Sequence, residues 1–158
     1  MPGEATPAVT QESHRKLAVQ LFNRSWELLR FDGRTPSQDD ELVHTVHASA
    51  YHWRACGGTD ANLARAENQC ARVYAALGRG APAVHHAIRC MELVAAGGEG
   101  FEDWDLASAL ECLARARQVL GQKVEAADAA RRARLALEQV ADPDDRAVIE
   151  SQLAELNL

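Results

Sequence analysis

The clearest chemical signal in this sequence is a run of histidines in its second quarter. His44 and His47 are spaced three apart. On a helix that spacing puts both imidazoles on one side. Tyr51 continues the same side and His52 lies at its edge. The next helical stretch carries Glu67 toward the border of its apolar face, where a carboxylate requires a partner. Two imidazoles and a carboxylate are donors with which helical bundles hold a divalent transition metal. The cluster His44, His47, His52 and Glu67, supported by Tyr51, is therefore a candidate metal or small-ligand site, and an enzyme centre if a metal is bound. The competing expectation is a hydrogen-bonded His–Tyr–Glu packing network, since HxxH is far less specific than HExxH. His85 and His86 are adjacent, so they leave a helix in different directions and are not expected to chelate together. Glu102, Asp103 and Asp105 flank Trp104 and could pair for acid–base work. Acids at a helix start are better explained by capping and the helix dipole, through Asp103 or Asp105. The chain contains no phosphate-binding glycine loop, nucleophile elbow or kinase signature.

Positioning these residues requires helices. Apolar residues recur at helical spacing over about 11–30, with Trp26 off the main stripe. A second helix is expected over 37–55, capped by Ser37 or Asp39, with Leu42, Val43, Val46, Ala50 and Trp53 on one face. Further helices are expected over 62–77, 81–95, 103–120, 124–140 and 143–156. Thr59 or Asp60 caps the third, and Asp142–Pro143 opens the last. Residues 1–11, with two prolines and a glycine, read as a disordered tail. Residues 12–158 read as one all-α domain of about seven helices in antiparallel hairpins.

The hairpins repeat. Leu63–Leu93 aligns without a gap on Leu106–Ala136: Leu63 with Leu106, Ala71 with Ala114, Arg72 with Arg115, Leu77–Gly78 with Leu120–Gly121, Ala83 with Ala126 and Ala87 with Ala130. Such self-similarity decides the architecture before anything else. These copies resemble tetratricopeptide (TPR) repeats, on Tyr74, Leu77, Gly78, Ala83 and Ala87 in the first, and on Leu110, Leu113, Ala114, Gly121, Ala126, Ala130 and Ala133 in the second. Gly80 and Lys123 stand where that family has an aromatic, and the spacing exceeds the family's roughly 34 residues. The chain is also similar to small TPR-like proteins of high-GC bacteria. The resemblance implies a right-handed array with repeats near 15–56, 61–97 and 103–140, closed by a capping helix at 143–157. It further implies a concave surface that binds a peptide or protein segment. On that surface it places Arg65, Asn68 and Arg72 from the third helix and Ser108, Glu111, Arg115 and Gln118 from the fifth. Arginine forks with an amide beside them suit an anionic segment.

Composition narrows the alternatives. A net charge of −6 argues against a general nucleic-acid binder. No stretch has the length and apolarity of a membrane span, and the first residues lack a signal-peptide layout. The expected location is cytoplasmic. Cys56, Cys70, Cys90 and Cys112 lie in helical patterns with no CxxC, as reduced apolar fillers. The sequence thus points to a peptide- or protein-binding module, non-catalytic and without cofactor, with room for homo-oligomers. The alternative is a metal- or ligand-binding protein built on the histidine cluster.

Overall fold

In a computed structural model, which describes residues 8–158, the chain forms seven helices. They are α1 (Gln11–Leu29), α2 (Pro36–Ala55), α3 (Asp60–Ala76), α4 (Gly80–Ala96), α5 (Asp105–Val119), α6 (Lys123–Leu137) and α7 (Pro143–Ala154). Most of the expected tail falls on residues 1–7, outside the described residues. The rest of it leads directly into α1, whose N-cap is Thr10.

Capping chemistry sets several boundaries. Thr35, not Ser37 or Asp39, caps α2, and Gln38 completes a reciprocal capping box. Thr59 and Asn62 do the same for α3. The side chain of Asp142 accepts from the backbone N–H groups of Asp144 and Asp145 ahead of α7. The acids before α5 behave differently from expectation. Trp104 occupies the cap position without a capping side chain. The Asp105 carboxylate turns instead to Arg65, and Asp103 accepts from the backbone of Ala141. Gly78 and Gly121, equivalent in the two copies, both have positive φ (70° and 84°) just after a helix end. There the following N–H groups, of Arg79 and Gln122, bond back to Tyr74 and Arg117.

Pairs α1/α2, α3/α4 and α5/α6 are hairpins, and α7 packs against α5 and α6. The repeat alignment predicts where they meet. Ala71 and Ala114, Ala83 and Ala126, and Ala87 and Ala130 are all fully buried. Alanine at these positions lets two helix backbones approach closely. Larger side chains fill the ends: Leu28, Leu42, Val46 and Trp53 around α1–α3, and Leu110, Leu137, Ile149, Leu153 and Leu156 around α5–α7. The odd-numbered helices also pack on one another, α1 on α3, α3 on α5 and α5 on α7, whereas the even-numbered ones do not. That asymmetry curves the stack and makes the odd layer its concave side. The loop 97–104 folds back onto the start of α3, with Ala61 N–H donating to Glu99 O (3.1 Å) and Glu99 N–H to Asp60 Oδ2 (3.0 Å). This loop accounts for the long spacing between the copies. No helix among the described residues is long and apolar enough to cross a membrane.

Candidate functional site

The concave side is a groove with two tryptophans. Trp26 of α1 and Trp104 before α5 face the same recess, with Asn68 and Ser108 between them. Phe22 and Val94 add apolar wall to a pocket of about 350 Å³. A second recess continues from Trp26 past Arg72 and Gln152 to Arg30, Arg115 and Glu155. Trp26 lies off the main stripe of α1 because it serves this surface, where Phe22 meets its edge.

All seven residues placed on this surface by the repeat alignment lie along it or beneath it, but the arginines are not free. Arg65 binds Asp105 through both ends of its fork (2.9 and 2.7 Å) and stacks over Trp104 at 4.5 Å. Asp105 raises the Arg65 pKa by accepting those bonds. Arg72 is buried, bonds Glu111 and Gln152, and lies over Trp26. Glu111 is wholly buried, and its other oxygen accepts from Arg115 (2.8 Å). Arg115 also reaches Glu155 (3.0 Å) and the carbonyl of Gln152 (3.0 Å). Gln118 donates to the Leu156 carbonyl. These side chains therefore form a ladder that ties α3, α5 and α7 together. Chain carboxylates thus already meet Arg65, Arg72 and Arg115. Asn68 donates to Ser108 Oγ and O at 3.3 and 3.4 Å, long bonds that are readily exchanged.

The histidine cluster is drawn differently from the expected set. His47 and Glu67 enter it; His44 and His52 do not. His44 is exposed, and His52 faces His14 across the α1–α2 hairpin, Nδ1 to Nδ1 at 2.7 Å. Burial, and then His14, hold the pKa of His52 down. Tyr51 is 62% exposed, at the edge of His14 and His52. The hydroxyl partner of His47 is instead Tyr74, 2.8 Å from Nε2. Tyr74 stacks on His86 with ring planes 6° apart. His86 Nδ1 lies 2.7 Å from Glu67 Oε2, while Arg54 and Arg89 bond Glu67 Oε1. Burial pushes the Glu67 pKa up, but His86 and Arg89 outweigh it and leave the carboxyl below its ordinary value. Burial, and then the charge of His86, lower the pKa of His47. Ligand-bearing atoms of His47, Cys70 and His86 lie within 4.8 Å of one another.

The adjacency of His85 and His86 hid this second imidazole. The two do diverge, and only His86 turns inward. A signal for it was present: the turn centre is Gly78, and Cys70 and His86 are each eight residues from it, as Glu67 and Arg89 are each eleven. In a helical hairpin, positions equidistant from the turn face each other.

Comparison of the chain with protein-family models, curated proteins and solved structures gives no match. The fold and site define an all-helical hairpin stack with a tryptophan-lined concave face.

Proposed function

We propose that this protein is a cytoplasmic, non-catalytic helical-repeat module that binds a peptide segment in its concave groove. The observation that carries this reading is the recess between Trp26 and Trp104. Large aromatic surfaces with a nearby amide are the usual anchors of protein recognition, supplying contact area with few rotatable bonds. The recess near Trp104 has the volume of a large apolar side chain with some backbone. Asn68 can exchange its long bonds to Ser108 for a peptide carbonyl. Further along, the exposed Arg30 lines the second recess and offers a place for an acidic residue, so the expected ligand is an extended segment with an apolar anchor and an acidic flank. The resemblance of the copies to tetratricopeptide repeats points to the same use of this surface.

The experiment is a selection of peptides from a random library on the untagged protein. Enriched peptides are then measured against Trp26→Ala and Trp104→Ala. The expected result is an apolar–acidic consensus whose affinity falls at least tenfold in either variant, with helical circular dichroism unchanged. No enrichment, or peptides indifferent to both tryptophans, would remove the groove from the account.

A further inference from the structure

On the opposite side of α3, three ligating side chains converge from three helices: His47 from α2, Cys70 from α3 and His86 from α4. We propose that His47, Cys70 and His86 form a zinc site, with Glu67 as the residue that orients His86. The site is separate from the groove and does not depend on it.

The donor types fit zinc. One thiolate and two imidazoles are borderline-soft ligands, unsuited to magnesium or calcium and suited to zinc. The geometry is close to what the ion requires. Tetrahedral zinc with bonds of roughly 2.0–2.3 Å sets its ligand atoms roughly 3.3–3.6 Å apart. From separations of at most 4.8 Å, closure takes side-chain adjustments of about an ångström rather than helix movement. Three protein ligands leave a fourth position for water.

The surrounding groups prepare the ligands. Glu67, itself 3% exposed, lies 2.7 Å from His86 Nδ1. A buried carboxylate there fixes the proton on Nδ1 and leaves Nε2 with the lone pair. This carboxylate–histidine arrangement is the usual outer support of a zinc-bound imidazole. Tyr74 holds both rings, stacking on His86 and bonding His47 Nε2. Burial and the charge of His86 favour the neutral form of His47, the form that ligates a metal. Zinc takes the thiolate, so binding at Cys70 releases a proton to solvent. Arg54 and Arg89 stand near as opposing positive charges, but their side chains are 57% and 47% exposed and water screens them. The packing alternative explains the His47–Tyr74 and His86–Glu67 bonds.

The test uses the full chain without a polyhistidine tag, stripped with a chelator and titrated with zinc and, separately, with cobalt(II). The expected result is one ion per chain, with a thiolate-to-cobalt charge-transfer band and tetrahedral cobalt absorption. Cys70→Ala and His86→Ala should abolish stoichiometric binding. Glu67→Gln should weaken it by about 10- to 100-fold. Cys56→Ala, His44→Ala and His52→Ala should leave it intact. The cobalt spectrum of the unmodified protein decides the matter even if a variant misfolds. No stoichiometric binding, or binding without the thiolate band, would overturn the proposal, as would a band that survives in folded Cys70→Ala.

Discussion

Replacing Glu111 with glutamine tests whether the ladder beneath the groove holds the stack together. Glu111 has no exposed surface, and both its oxygens are used, one by Arg72 and the other by Arg115. Glutamine keeps the shape but removes the charge and turns an NH2 group toward a guanidinium. Breaking one partner of a buried ion pair costs about 3–5 kcal/mol. Here the lower end applies. Arg72 keeps Gln152 (2.9 Å) and Asn68 (3.2 Å), and Arg115 keeps Glu155 and is 21% exposed. The expected loss is about 3 kcal/mol. For a chain of this size that lowers the melting temperature by roughly 6–12 °C. Thermal and urea unfolding followed by circular dichroism measure both quantities. A double variant, Arg72→Met with Glu111→Leu, removes the Arg72 charge together with its partner and should be less destabilised than Glu111→Gln alone. A loss below about 1 kcal/mol in Glu111→Gln, or a double variant weaker than the single, would show that the buried ladder does not hold the stack together.

Other outcomes follow from the same packing and electrostatics. Gly80→Ala should destabilise by about 1–3 kcal/mol in urea unfolding, because a Cβ there would lie 2.6 Å from Leu120 Cα and 2.8 Å from its backbone nitrogen. The roughly 1 kcal/mol that alanine gains over glycine in a helix does not offset this; a stabilised variant would show that the α4–α5 seam yields. Thr35→Ala removes one side of the α2 capping box and should cost about 1 kcal/mol by the same measurement, whereas Ser37→Ala should cost much less. Stability should fall on acidification in two stages. The folded pKa of His47 lies below its unfolded value of about 6.5, so the unfolded chain takes up the proton first and stability declines as pH drops through that value. The folded pKa of Glu67 is also depressed, so its contribution is present above the ordinary carboxylate range and is lost as pH falls below it. His52 is held down as well and contributes to the first stage, so His47→Gln should shrink that stage and leave the second; a pH profile unchanged in that variant would reject the assignment.

Much of the fold was legible because it rests on local rules. Helix starts at Thr59 and Asp142 follow from capping chemistry, and the alanines that align between the copies, Ala71, Ala83 and Ala87 with Ala114, Ala126 and Ala130, are all buried. The starts of α2 and α5 were less legible. Thr35 precedes Pro36, outside the periodic run, and Asp105 is drawn from its capping role by Arg65, forty residues away in sequence. The groove residues were placed on the right helices, but their state was not. Whether Arg72 and Arg115 meet a ligand or Glu111 depends on how far α3 and α5 approach each other and on where α7 lies. No single-helix pattern contains that information. The histidine site shows the same limit. His47 and Glu67 were visible from spacing within their helices, whereas His86 and Cys70 join them only through the α3/α4 hairpin, and His52 turns to His14 through the α1/α2 hairpin.

Tryptophan emission during titration with a library-selected peptide, made on a Trp53→Phe variant, reads the occupancy of the groove directly. Trp53 is buried in the α1–α3 core, so its removal leaves only the two groove tryptophans as reporters. A saturable blue shift is expected as the peptide excludes water from Trp26 and Trp104, with a midpoint equal to the dissociation constant measured independently. Tight binding with emission unchanged would contradict binding in the groove and move the binding surface elsewhere on the molecule.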